Sequence, residues 1–256
     1  MIRHSLRVIL IACALPAVLA GQTPKKLAVA AASDLQSVLP DIAQRFERAS
    51  GARVTVSYGS SGTFFAQIQN GAPFDVFLSA DVDYPRQLVG AGLADASTLQ
   101  PYATGHLVLW ARRESKIDLG RGLAALTDKQ IRHVAIANPK YAPYGRAAVA
   151  ALRGAGIYDA VQPKLVMGES LAQAAQLVES GNADVGLLSR SLVLGPTLKA
   201  EGTYADVVAP YPSIEQAAVV MKASREPSLA RAFIAFLRRD DTGKQLERFG
   251  FALPRR

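Results

Sequence analysis

The sequence has 256 residues, a formal net charge of +8, one cysteine and half of its residues hydrophobic. That is enough chain for one large domain or two lobes of about 100 to 120 residues. The positive charge does not mark a nucleic-acid binder, because the basic residues are scattered in ones and twos without interleaved aromatics and read as a solvated surface that mildly attracts anions.

Residues 1–20 read as a secretory signal: Arg3, His4 and Arg7 precede an apolar run from Val8 to Leu19, and Val18-Leu19-Ala20 offers a cleavage site. Leu10-Ile11-Ala12-Cys13 looks like a lipobox, but only five apolar residues separate Arg7 from Cys13, short of the usual apolar region of about 7 to 15. Lipid anchoring at Cys13 is therefore not expected. Cleavage after Ala20 would leave 236 residues, a net charge of +6 and no cysteine, which excludes disulfides, thiolate metal ligands and a cysteine nucleophile. No later stretch approaches roughly 20 uninterrupted apolar residues, so the mature chain is expected to be soluble.

Leu27 to Ala32 is a continuous apolar run, the pattern of a strand buried on both faces of a parallel sheet. It ends at Ser33-Asp34, and a helix follows with Leu35, Leu39, Ile42 and Phe46 on one face, a kink or an irregular first turn at Pro40 and a stop at Gly51. Val54, Val56 and Tyr58 alternate as a second strand into Gly59-Ser60-Ser61-Gly62-Thr63, and a helix begins with Phe64, Phe65 and Ile68. Taken alone, Ser60-Ser61 reads as an ordinary helix cap. A helix start held open by glycines and hydroxyls is also a ready anion site, since its first amides have no partner and the dipole is positive there. Ser33 sits in the equivalent place, at the strand-end edge where open α/β sheets bind ligands.

A third strand is expected over Val76 to Ala80, a short helix over Asp83 to Ala91, then a loop, then an apolar strand Leu107 to Trp110. Trp110 reads as packing, and the chain changes lobe near Thr104 to His106. The pattern restarts at Val134 to Ala137, which runs into Asn138-Pro139-Lys140-Tyr141-Ala142-Pro143-Tyr144-Gly145 and a helix from Arg146 to Arg153. Leu165 to Met167 leads through Gly168-Glu169-Ser170 to a helix with Leu171, Ala174, Ala175 and Val178 on one face, and Val185 to Leu188 is a strand ending at Ser189. Val207 to Pro212 marks a second crossing, after which a strand Ala217 to Met221 and two helices, one with Leu229, Phe233 and Phe236, the other Thr242 to Phe249, return to the first lobe. The expected division is 1–20 signal, 21–104 with 212–256 as lobe 1, and 105–211 as lobe 2. Two α/β lobes joined by two crossings make a cleft, a common place for a small-molecule site.

Catalytic machinery is not legible. His4, His106 and His133 show no metal spacing, the Gly59 to Gly62 turn fits neither a nucleophile elbow nor a phosphate-binding loop, and Asp75, Asp81 and Asp83 lack a calcium-loop pattern and read as caps and turns. What is present is a set of neutral donors at helix starts. An oxyanion is costly to desolvate, and each charge-assisted hydrogen bond returns about 1.5 to 3 kcal/mol, so several must converge. Ser33, Ser61, Tyr144 and the backbone at Leu171 stand where four separate turns would supply them, with Ser60, Ser170 and Ser189 at comparable positions.

Ala30-Ala-Ala-Ser33, Gly59-Ser-Ser-Gly62, Gln67-Ile-Gln-Asn-Gly-Ala-Pro73, Phe77-Leu-Ser-Ala-Asp81, Leu107-Val-Leu-Trp110 and Asn138-Pro-Lys-Tyr-Ala-Pro-Tyr-Gly145 resemble the periplasmic molybdate-binding proteins of ABC importers. The likeness covers nearly the whole mature chain in order. It implies a two-lobe type II periplasmic-binding-protein fold of mixed sheets flanked by helices, with molybdate or tungstate held between the lobes and no cofactor. A monomer is expected that delivers its ligand to a membrane permease and has no enzymatic activity. By position, Ser33 and Ser61 match the first-lobe ligands, Tyr144 the second-lobe ligand turn and Leu171 a backbone donor. Two departures stand out. Where some members use a tyrosine hydroxyl this chain has Ser189, which is too short, so Tyr144 is expected to replace that donor. Asp34 is an acid beside an anion ligand and is expected to point away, since facing the cavity it would repel the anion. The alternatives are sulfate, phosphate or ferric ion in the same fold, though no Tyr-Tyr pair of the iron-binding kind occurs, and a secreted hydrolase, for which no nucleophile and base are visible.

Overall fold

The computed structural model describes residues 24–254; the signal reading of residues 1–20, and with it Cys13, lies outside the described residues. The chain runs through β1 (Lys26–Ala32), α1 (Leu39–Ser50), β2 (Arg53–Gly59), α2 (Ser61–Gln69), β3 (Val76–Ser79), α3 (Asp83–Gly90) and β4 (Gln100–Gly105). Past His106 it continues as β5 (Leu107–Arg112), β6 (Val134–Ala137), α4 (Pro143–Gly154), α5 (Tyr158–Val161), β7 (Leu165–Gly168), α6 (Leu171–Glu179), β8 (Val185–Ser189), α7 (Arg190–Val193), α8 (Pro196–Glu201) and β9 (Gly202–Asp206). It ends with β10 (Ile214–Val220), α9 (Pro227–Leu237) and α10 (Asp240–Arg248).

Two five-stranded sheets result, ordered β2-β1-β3-β10-β4 and β7-β6-β8-β5-β9. β1 pairs in parallel with β2 and β3, and β6 with β7 and β8. In each sheet the strand entered by a crossing runs against its neighbours: β5 is antiparallel to β8 and β9, and β10 to β3 and β4. The parallel strands point their carboxyl ends, and so the starts of α2, α4 and α6, toward the junction of the two lobes. Helices cover both sheets, as the all-apolar strands require. Phe46 of α1 meets Phe233 and Phe236 of α9 edge to face at 5.0 and 5.5 Å, and Trp110 is fully buried in the second lobe, its indole N–H donating to the Leu198 carbonyl at 3.1 Å.

Three local expectations change and one is met. The stretch before Leu107, expected to be a loop, contains strand β4. Its sequence carries Pro101, tolerated because β4 is an edge strand with a register shift opposite Gln216/Ala217. The helix expected from Arg146 begins at Pro143, whose ring suits the first helical position, so Tyr144 belongs to the first turn of α4. The irregular start expected near Pro40 is met: a 3-10 turn over Ser33–Leu35 precedes α1, and Pro40 lies in the first turn of α1. The stretch after Ser189 folds into α7, α8 and β9, for which no element was expected.

Candidate functional site

Residues from five strand ends meet in one small cavity between the lobes. It is lined by Ala32, Ser33 and Asp34 at the end of β1, Gly59, Ser60 and Ser61 at the end of β2, Ala80 after β3, Ala142, Pro143 and Tyr144 after β6, and Leu171 after β7. Ser33, Ser61, Tyr144 and Leu171, named from four separate turns, thus face one space. Ser61 and Leu171 are the first residues of α2 and α6, where the amide has no partner within the helix. The Ser61 hydroxyl accepts from the Ala80 amide at 2.9 Å, which leaves its proton to be donated. The Ser33 hydroxyl accepts a long bond, 3.4 Å, from the Ala172 amide across the lobe junction.

The other serines do different work. Ser60 caps α2 through the Thr63 amide at 3.3 Å while lining the cavity. Ser170 caps α6 through the Gln173 amide, and Ser189 caps α7 through the Leu192 amide while accepting from Ser191 at 3.0 Å. Neither Ser170 nor Ser189 lines the cavity.

Asp34, expected to turn away, is one of the lining residues and is 1% exposed, and its carboxylate is bonded to Gln216, which is not part of the lining. Its Oδ2 accepts from the Gln216 amide, while Oδ1 is buried without a hydrogen-bond partner. Gln216 in turn accepts from the Tyr102 hydroxyl at 2.7 Å and donates to the Tyr144 hydroxyl at 3.4 Å. The Tyr144 hydroxyl therefore lies over Gly105, where a Cβ would overlap it, and is engaged with the Gln216–Asp34 pair. Burial pushes the Asp34 carboxyl up to about 6, against the opposing pull of Gln216, Tyr144 and the amides of Asp34 and Leu35. Burial, and then the charge of Asp34, hold the Tyr102 and Tyr144 hydroxyls well above the usual phenol range, so both stay protonated.

A raised carboxyl means that the folded protein binds this proton more tightly than the unfolded chain. Its cost is absent below about pH 4 and grows to on the order of 3 kcal/mol above about pH 6. Asp34→Asn is accordingly expected to melt above the parent protein at pH 8, with the gap narrowing as the pH is lowered toward 4. Thermal denaturation across that range decides it; a gap independent of pH would count against the ionised carboxylate as the cause.

At the mouth of the cavity the lobes touch directly. The Gly62 amide donates to the Tyr141 carbonyl at 2.8 Å, and Arg146 of α4 pairs with Asp81 at 2.5 Å and reaches the Tyr84 hydroxyl at 3.3 Å. Asp81 also holds the turn into α3 through the Tyr84 amide at 3.0 Å, as expected, whereas Asp75, expected in a cap or turn, instead ties distant segments together by accepting from the Ala28 amide at 2.7 Å and the Ser224 hydroxyl at 2.7 Å. No cluster of metal-binding side chains occurs among the described residues. Sequence reasoning missed Gln216, Tyr102 and Arg146. Gln216 alone left a signal, a single amide at the head of an apolar strand.

The chain matches the family described as bacterial extracellular solute-binding protein over residues 27–252. It is 38% identical to the molybdate-binding protein ModA of Rhodobacter capsulatus over 224 residues, 87% of this chain and 86% of that protein. It is 38% identical to ModA of Azotobacter vinelandii over 226 residues, 88% of this chain and 89% of that one. Among solved structures, the Azotobacter vinelandii periplasmic molybdate-binding protein superposes with a TM-score of 0.81 at 33% identity, covering 90% of this chain and 100% of that one.

Proposed function

We propose, from the premise that this chain belongs to the bacterial extracellular solute-binding protein family, that it captures molybdate and tungstate between its lobes and delivers them to the permease of an ABC importer. It is a binding protein rather than an enzyme, as the relatives it matches are. The lobes are taken as 21–104 with 212–256 and 105–211, the working compartment as the periplasm and the working form as a monomer. No helix among the described residues is long and apolar enough to cross a membrane.

The observation that carries this reading is the convergence of Ser33, Ser61, Tyr144 and Leu171 on one cavity whose lining has no cationic side chain. Hydroxyls and helix-start amides stabilise an oxyanion by directed hydrogen bonds without a fixed counter-charge. Ser33 and Ser61 act as hydroxyl donors, Leu171 through its amide, and Tyr144 through its place in the first turn of α4. Ser60 shapes the turn, and Ser170 and Ser189 hold helix starts. Carried through the lobes, closure on the anion is what the permease would read.

Thermal melting of the ligand-free protein with molybdate, tungstate, sulfate and phosphate tests the reading. Ligand at about 100 times its dissociation constant adds roughly 2.7 kcal/mol, which for a chain of this size raises the melting temperature by roughly 5 to 10 °C. Ser61→Ala is expected to abolish most of the molybdate shift. Because the Ser61 hydroxyl also satisfies the buried Ala80 amide, the unliganded variant is expected to lose about 1 to 3 kcal/mol as well, so the shift must be measured against its own baseline. Equal shifts from sulfate and molybdate would defeat the proposed selectivity, and no shift with any oxyanion would defeat the binding itself.

A further inference from the structure

We propose that Asp34 is a proton-accepting member of the oxyanion site: closing the cavity on a dianion drives one proton from solvent onto the Asp34 carboxylate. The occupied site then holds the dianion beside a neutral carboxylic acid. This rests on the reading above that the cavity takes an oxyanion.

Three observations lead there. The cavity lining offers serines, a tyrosine, apolar side chains and a glycine, and Asp34 is its one ionisable acid, with no lysine, arginine or histidine to offset it. Its Oδ1 is buried and has no hydrogen-bond partner, so one oxygen is open to a proton. The groups that bury it come from both lobes. Gln216 of β10 and Tyr102 of β4 approach from the first, and Tyr144 of α4 from the second. Ser191 of α7 donates to the Asp34 carbonyl at 2.8 Å, and the Ala172 amide of α6 reaches neighbouring Ser33. Bringing the lobes together is what removes this carboxylate from water.

A dianion in the cavity and a carboxylate buried beside it repel each other strongly, because like charges interact far more in low dielectric than in water. The alternative to protonation is three negative charges without a cation. Burial already raises the carboxyl to about 6 before an anion is present, and an adjacent anion pushes it further in the same direction. The neighbouring titratable groups do not compete: Tyr102 and Tyr144 are held in the protonated form. Arg146 at the start of α4 is turned to Asp81, and Arg190 at the start of α7 to Asp206. His106 faces Arg190 and Asp206, and burial followed by the Arg190 charge holds it below the usual imidazole range, so it is neutral at pH 7.5. The balance is one proton from the buffer acid to Oδ1, taking the carboxyl from a charge of −1 to neutral.

Calorimetric titration of the protein with sodium molybdate at pH 7.5, in Tris and in PIPES, counts the protons exchanged, because the two buffers differ in ionisation enthalpy. About one proton taken up per molybdate is expected, falling to near zero in Asp34→Asn. The affinity of the parent protein should rise by up to about tenfold per unit as the pH falls from 8.5 to 7, while the variant stays nearly flat. A wild-type count near zero overturns the proposal, and so does a count unchanged in Asp34→Asn, which would put the proton elsewhere. Should the variant not fold, the wild-type count and slope still decide. Absence of binding by both molybdate and tungstate would overturn the oxyanion reading first and the proton uptake with it, whereas binding without uptake overturns the uptake alone.

Discussion

Gly62→Ala is expected to weaken molybdate binding about a hundredfold while leaving the melting temperature of the unliganded protein within a few degrees. A Cβ at this position would stand 2.6 Å from the Tyr84 hydroxyl, 2.7 Å from the Tyr141 carbonyl oxygen and 2.9 Å from the Tyr141 Cα. The tyrosine hydroxyl ends a flexible side chain and can yield. Tyr141 presents backbone, in a turn tied down by its own amide bonding to the Asn138 carbonyl at 3.1 Å, and it belongs to the opposite lobe. The collision is therefore relieved most cheaply by parting the lobes, which also breaks the 2.8 Å bond from the Gly62 amide to the Tyr141 carbonyl. Overpacking of this kind costs about 1 to 3 kcal/mol and the lost bond about 1 more, together near two powers of ten in affinity. With the lobes apart the added methyl meets solvent and slightly favours the helix. Titration calorimetry and ligand-free melting separate these effects; an unchanged dissociation constant would show that the Tyr141 turn gives way instead.

Gln216→Leu is expected to be the more damaging change to the fold, lowering stability by on the order of 4 kcal/mol. Leucine fills similar space without polar atoms, so the Tyr102 hydroxyl and the Asp34 Oδ2 both lose their partner, all three residues being buried. Each orphaned neutral group costs about 1 to 3 kcal/mol and a charged one more. For a chain of this size that corresponds to a drop of roughly 10 °C. The loss should be larger at pH 8 than at pH 5, because Asp34, with its carboxyl near 6, is charged only in the first case. Melting curves at the two values check this; equal losses would mean that Asp34 is not the group left bare.

Much of this was legible from residue order because the informative signals were local. Leu27 to Ala32 and Leu107 to Trp110 are uninterrupted apolar runs, and both became buried strands. The turns at Ser33, Ser61, Tyr144 and Leu171 were visible as strand-to-helix junctions, and the structure brings all four to one cavity. What escaped depends on partners far along the chain. β4 has a weak strand pattern and is held by β10, more than a hundred residues later. The direction taken by Asp34 is set by Gln216 and Tyr144, 182 and 110 positions away, and no property of Ser33-Asp34-Leu35 foretells it. The start of α4 was misplaced by three residues although Pro143 supplied the signal for it.

The strand order carries a consequence for how the chain acquires its shape. β10 lies inside the first sheet, between β3 and β4, yet it is made of residues 214–220. As the chain emerges from its amino end, β3 keeps an open edge, and that sheet cannot be completed until almost the whole polypeptide is available. The second sheet draws only on the continuous segment from Leu107 to Asp206. Contacts that close short loops form sooner than those that close long ones, so the lobe encoded in the middle is the one able to assemble first, and the lobe that begins the sequence is finished last around it.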